Sequence, residues 1–105
     1  MIIEWLKFKI SPDRREEFIQ KDTEIWTAAI SAYPGYLGKE VWIDPNAPEE
    51  VVILVRWATY QQWKSLSSDY LAKVEQEFST AMAGGYELIE EREYHLRKFP
   101  HSAAK

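Results

Sequence analysis

Proton transfer near neutral pH needs a side chain that can change charge there, and this chain offers few. His95 is the only histidine inside the patterned part of the sequence, His101 falling in the terminal stretch, and imidazole titrates in the right range. Glu4 is the other candidate, set between Ile2 and Leu6. A carboxylate on an apolar strand face loses water, and that raises its pKa toward the range of a general base or acid. Asp22, between Phe18 and Ile25, is a second acid on the inward side of a helix. Trp57 ends an apolar run, and Trp26, Trp63 and Tyr36 add flat faces that can wall a pocket for a flat apolar ligand. Arg56 and Arg92 read first as ion pairs of a sheet or dimer, with Arg92 also able to hold an anionic group of a substrate. Each has a plainer reading beside this one. Trp57 can be core, Glu4 a half-wet carboxylate paired with an arginine, Asp22 a helix-edge acid, and His95 a solvated or interface residue.

Other chemistries find no residues. There is no cysteine, so disulfides, thiolate metal sites and a sulfur nucleophile are all absent. The two histidines have no chelating spacing, so no metal site is expected, and no cofactor motif occurs either. Gly84-Gly85 reads as a helix stop rather than a phosphate loop, and no serine elbow occurs. With 13 basic against 17 acidic side chains and no basic run, the chain is a poor partner for nucleic acid.

The elements that must position these residues follow from periodicity. Residues 2–10 alternate, with Ile2, Glu4, Leu6, Phe8 and Ile10 on one face and Ile3, Trp5, Lys7 and Lys9 on the other. Ser11-Pro12-Asp13 starts a helix, Ser11 as its cap, with Phe18, Ile25, Trp26, Ala29, Ile30 and Tyr33 turned inward until Pro34-Gly35 ends it. A strand over about 36–43 and a turn at Asp44-Pro45-Asn46-Ala47-Pro48 follow. Residues 51–58 are nearly continuously apolar and β-branched, which predicts a central strand. Thr59 and Gln62 suit a capping box before a short helix carrying Trp63 and Leu66. A longer helix from Ser67-Ser68-Asp69 turns Leu71, Val74, Phe78 and Ala81 or Met82 inward, and a last strand runs from Tyr86 to about Phe99.

The order β-α-β-β-α-β predicts one α+β domain over 1–99, a ferredoxin-like split βαβ with helices on one face of an antiparallel sheet, then a tail over 100–105. Ile3, Trp5, Val52 and Leu54 would leave the other face apolar, so a symmetric homodimer is expected to cover it. No run approaches the roughly 18 apolar residues of a membrane span, and residues 1–5 enter a strand pattern at once. The expectation is a cytoplasmic protein with no membrane contact.

Two motifs carry a family resemblance. Tyr33-Pro34-Gly35-Tyr36-Leu37-Gly38 and Val55-Arg56-Trp57-Ala58-Thr59, with the helix bearing Trp63, resemble the dimeric α+β barrel superfamily, in its antibiotic-biosynthesis-monooxygenase and stress-responsive group. Lys39-Glu40-Val41-Trp42 and Glu91-Arg92-Glu93-Tyr94 are most similar to a small branch found largely in cyanobacteria. The resemblance spans nearly the whole chain and implies a dimer with a pocket between sheet and helices. It also implies a range of activities, from cofactor-free oxygenases of aromatic polyketides to haem-degrading enzymes and proteins with none. Haem-degrading members use an Asn, a Trp and a His; Trp57 matches the Trp, but Leu6 stands at the Asn position and Glu75 at or beside the His. The resemblance therefore argues against haem degradation. It implies instead a cofactor-independent monooxygenase acting on a small aromatic or quinone-like substrate, with Glu4 or His95 as proton acceptor. The alternative is a non-catalytic small-molecule-binding or stress-response dimer.

Overall fold

The computed structural model describes residues 1–98. Four strands form one antiparallel sheet in the order β2-β3-β1-β4: β1 (Ile2–Ile10), β2 (Tyr36–Trp42), β3 (Glu50–Trp57) and β4 (Tyr86–His95). Between β1 and β2 runs a helical arm over 12–30. It opens as a 3₁₀ turn, Pro12–Arg14, continues as α1 (Arg15–Lys21), widens to a π segment, Asp22–Thr27, and closes as α2 (Ala28–Ile30). After β3 come α3 (Tyr60–Lys64) and α4 (Ser68–Met82). This is the ferredoxin-like α+β plan read from the sequence. β3 lies inside the sheet as its apolar run requires, and Val51, Ile53, Val55 and Trp57 are all buried.

Helix ends follow the expected chemistry with two differences. The Thr59 hydroxyl caps α3 by accepting from the Gln62 amide at 3.1 Å, but the Gln62 side chain takes the Thr59 hydroxyl proton instead of reaching its backbone. Ser11 forms no side-chain cap; its hydroxyl donates to Asp13, so the arm begins in the tighter 3₁₀ turn. α4 ends in left-handed Ala83 ahead of Gly84-Gly85, and Arg14 closes its free carbonyls, Nη2 donating to the Met82 carbonyl at 2.6 Å. Of the two alternatives at that turn, Met82 is the buried residue and Ala81 is exposed. The last strand stops at His95; Phe99 and the tail expected over 100–105 lie outside the described residues.

Beside the central strands sits an aromatic cluster. Phe18 stacks between Phe8 and Phe78 with centroids 5.1 and 5.4 Å away, and Tyr86 closes the group 5.0 Å from Phe78. Offset and edge-on pairs of this kind add to the burial energy of the rings, so this end of the space between sheet and helices is filled. The other end, toward Glu4 and Trp57, is not.

The sheet breaks its own alternation twice, and both breaks matter for the site. In β2 the pairing steps from Tyr36–Trp57 to Gly38–Arg56, leaving Leu37 as an extra residue. In β4 it steps from Glu90–Lys7 to Leu88–Phe8, leaving Ile89 extra. Gly38 adopts φ +147°, a conformation open mainly to glycine, which is why the bulge sits there. The outer face carries Ile3, Trp5, Val52 and Leu54 as expected, with charged residues around them. Arg56 pairs with Glu40 at 2.9 Å, Lys7 lies between Glu50 and Glu90, and Arg92 pairs with Glu90.

Candidate functional site

A cavity of about 400 Å³ lies between the inner sheet face and the helices. Its walls are mostly apolar: Leu6, Ile53, Val55 and Trp57 below, Trp26, Ile30, Trp63 and Leu66 above. Exposed Glu75, Leu88 and Glu91 are also part of its lining, so it opens to solvent between α4 and β4.

The bulge in β2 selects which side chains enter it. Counting outward from Tyr36 without an extra residue, Glu40 and Trp42 would face the helices and Lys39 would face away. With Leu37 bulged out, Lys39 and Val41 turn inward instead, opposite Val55 and Ile53. Glu4 is also opposite Val55, on the other flank of β3. Lys39, Val55 and Glu4 thus form one cross-strand row on the floor of the cavity, with the outer two roughly 10 Å apart at the backbone.

The π segment aims the ceiling. Phe18, Asp22, Trp26 and Ile30 all line the cavity at intervals of four. In an α-helix each four-residue step overshoots a full turn by about 40°, and three steps would carry the last residue off the face. The wider π turn over Asp22–Thr27 takes back that overshoot and keeps the series in one line. Asp22 is thereby 3% exposed, the one buried charged residue among the described residues.

Asp22 and Lys39 meet. Lys39 Nζ lies 2.6 Å from Asp22 Oδ2 and donates to Thr27 Oγ1 at 3.1 Å. The approach to Oδ2 is an ion contact off the hydrogen-bonding direction, so that oxygen keeps an unfilled acceptor position. Burial pushes the Asp22 carboxyl up, and the Lys39 charge partly offsets this. Glu4 is held differently: the Trp57 indole Nε1–H donates to Glu4 Oε1 at 3.2 Å. Loss of water raises the Glu4 pKa, while the indole hydrogen bond and then the Lys39 and Lys64 charges oppose the rise. Tyr36 packs edge-on against Trp57 at 5.9 Å, and its phenol is also pushed up, by burial and then by Asp22.

Of the residues singled out in the sequence, Glu4, Asp22, Trp26, Trp57 and Trp63 come together around this cavity, and Tyr36 buttresses Trp57. His95 and Arg92 do not join them. His95 pairs across from Ile2 at the end of β4 and is exposed, beyond the cover of the helices. Arg92 is on the outer face, its guanidinium 5.6 Å from the Trp5 ring, paired with Glu90 and 3.1 Å from the Tyr94 hydroxyl. Lys39 is the residue that sequence reasoning misses. Its alternation with Val41 is the available signal, and the bulge hides which face the two share.

The Tyr33–Gly38 motif has a structural cause. Gly35 takes φ +92°, and a Cβ there would stand 2.6 Å from the Gln62 Cβ; its carbonyl accepts from the Ala58 amide at 2.8 Å. The turn thus binds the helical arm, the end of β3 and the start of α3 together beside Trp57.

Residues 1–74 match the family model described as antibiotic biosynthesis monooxygenase. A search of curated proteins gave no match. Among solved structures, HapK from Hahella chejuensis is similar with a TM-score of 0.73 at 16% identity, over 99% of this chain and all of its own. SnoaB from Streptomyces nogalater, a cofactor-independent oxygenase, gives 0.66 at 13% identity, over 93% of this chain and 94% of its own. The monooxygenase from the gene ActVA-Orf6 of Streptomyces coelicolor, in complex with nanaomycin D, gives 0.68 at 14% identity, over 95% and 92%. At these identities the likeness is one of fold.

Proposed function

The chain belongs to the antibiotic biosynthesis monooxygenase family, and from that premise we propose that it is a cofactor-independent oxygenase of a small aromatic or quinone-like substrate. The observation that carries this reading is Glu4, a carboxylate with a raised proton affinity, at the floor of a largely apolar cavity walled by Trp26, Trp57 and Trp63. A volume of about 400 Å³ suits a flat ligand of one to three rings. The family match and the solved oxygenases of the same fold support it further.

In this mechanism the substrate supplies the electrons. Glu4 accepts the proton of a ring hydroxyl, and the resulting phenolate is electron-rich enough to react with dioxygen. A carbon–oxygen bond forms at the ring, the ring C–H proton is lost and the O–O bond breaks. One oxygen remains as a carbonyl and the other leaves as water with the two protons removed from the substrate. The four electrons that reduce dioxygen all come from the ring, so the hydroxyarene becomes a quinone. The tryptophans hold the ring in place and keep water away from the anion.

Oxygen uptake with a panel of hydroxynaphthalenes and hydroxyanthracenes, comparing wild type with Glu4→Gln, tests the reading. The substitution keeps an acceptor for Trp57 and removes the base, so turnover should fall about 10²- to 10⁴-fold with ligand affinity little changed. Saturable binding without oxygen uptake would replace the oxygenase with a binding protein.

The outer sheet face supports a homodimer. Trp42 and Tyr94 are nearly half exposed there beside Trp5 and Val52, and the flanking Glu40–Arg56 and Glu90–Arg92 pairs give a two-fold partner complementary charge.

A further inference from the structure

We propose that Lys39 is a positioning residue of the cavity, the counter-ion that Asp22 and Glu4 share and that lets Glu4 ionise against its apolar walls. The inference rests on Glu4 being the proton acceptor, and it assigns a task to the Lys39–Asp22 pair, which this reading leaves unused.

The geometry starts from the row across the sheet. Lys39 and Glu4 flank Val55 in register, and both side chains enter the same space from its floor. The Lys39 ammonium has three protons. One is donated to Thr27 Oγ1, and the ammonium lies against the Asp22 carboxylate as an ion contact, so the side chain has donor capacity beyond these two partners. The Lys39 side chain is only 7% exposed and that of Asp22 5%, so water does little to screen their charges.

An apolar cavity by itself would keep Glu4 protonated, and a protonated carboxyl cannot take a proton from a substrate. An unshared Lys39 would have the opposite effect, holding Glu4 ionised and a poor acceptor. Asp22 moderates this by taking part of the lysine's field, with its π segment and the β2 bulge fixing both partners. Other groups also act on Glu4, the first of them directly and ahead of Lys39. They are the Trp57 indole N–H on β3, Lys64 on α3 (stacked 3.8 Å over Trp63), Glu75 on α4, and Glu91 with Glu93 on β4, the latter directly across from Glu4.

The two partners of Lys39 should therefore move Glu4 in opposite directions. The Glu4 carboxyl is titrated in the ligand-free protein by carbon-detected NMR, and oxygen uptake is followed against pH in parallel. Lys39→Met should shift the Glu4 midpoint upward by on the order of a tenfold change in proton affinity, and Asp22→Asn should shift it downward by less, since Asp22 is the more remote charge. Lys39→Arg should restore the wild-type midpoint. Because Lys39→Met strands a buried Asp22 charge and can unfold the chain, the double variant Lys39→Met/Asp22→Asn is measured beside it. That variant leaves no orphan charge and should still show the upward shift. A Glu4 midpoint unmoved in the double variant and in Asp22→Asn would overturn the proposal. Shifted midpoints in a protein that takes up no oxygen would uphold the role of Lys39 and overturn the oxygenase.

Discussion

Removing the Trp57 indole nitrogen tests the link between the core and the candidate base. Trp57 is 1% exposed, and its Nε1–H makes the one hydrogen bond that the Glu4 carboxylate receives among the described residues. Trp57→Phe deletes that donor and part of a buried ring. The smaller ring costs about 1–2 kcal/mol in lost contact and residual space, and an acceptor stranded in the interior costs about 1–3 kcal/mol. The sum, about 2–5 kcal/mol, is a large share of the roughly 5–15 kcal/mol that stabilises a domain of this size.

The informative part is its pH dependence. The folded-state pKa of Glu4 lies above the ordinary 4.5. A group raised on folding contributes stability that is fully present below its unfolded pKa and is lost as pH rises through the folded one. The indole bond opposes the rise, so its removal lifts the folded pKa further, and the variant loses more stability over that window than wild type does. The destabilisation by Trp57→Phe should thus be larger at about pH 8 than at about pH 4. The difference is roughly 1 kcal/mol, the gap between a hydrogen bond to a charged and to a neutral acceptor. Urea unfolding at both pH values and one fixed protein concentration measures it. Adding Glu4→Gln should abolish the difference, and Asp22, present throughout, cancels. Equal destabilisation at the two pH values, or a difference that survives Glu4→Gln, would refute the coupling.

Three further outcomes are expected. Leu54→Asp, which puts a charge at the centre of the outer face, should convert a dimer to monomer in sedimentation at micromolar concentration; a wild type that is itself monomeric there would remove the dimer outright. Gly35→Ala should lower the melting temperature by several degrees, since the added Cβ meets the Gln62 side chain and φ +92° disfavours any side chain, a cost of about 1–3 kcal/mol. In alkaline absorbance titration, one of the six tyrosines should ionise last, near pH 12, because burial and the bond to Glu75 at 2.5 Å both hold the Tyr86 proton, and Tyr86→Phe should delete that step.

How much of this can be read in advance depends on where the period of the chain holds. The alternation of residues 2–10 places Glu4, Leu6, Phe8 and Ile10 on the helix side correctly, because β1 keeps strict pleat geometry through Glu4 and Leu6 and pairs with β3 without a break. The apolar run of β3 predicts its central position, and the helix faces follow from Phe18, Val74 and Phe78. What periodicity cannot supply is the behaviour at three breaks. The extra Leu37 exchanges the faces of Lys39 and Glu40. The extra Ile89 does the same on β4, so His95 shares a face with Glu4 yet lies past the helices that would enclose it. The π segment keeps Asp22 in line with Phe18 and Ile30. Gly38 is the only one of these places where composition gives a hint, through a glycine inside a strand.

Those breaks explain why the ionisable groups of the cavity come from separate elements. A regular strand or helix that faces an apolar core carries apolar residues at each inward position, since an unpaired charge there is opposed by desolvation. Turning one charged residue inward without disturbing its neighbours requires a local change of register, and a bulge or a wide helical turn provides it at the smallest cost to the rest of the element. Lys39 and Asp22 are both set by such changes, and they meet each other, so that each desolvated charge finds its counter-charge. Glu4 needs no break because it lies where β1 nears the open side and receives the Trp57 indole. The cavity's electrostatics are thus determined by the irregular positions and its shape by the regular ones. A substitution that regularised either break, such as Gly38→Val in β2, should alter the Glu4 titration more than it alters the fold.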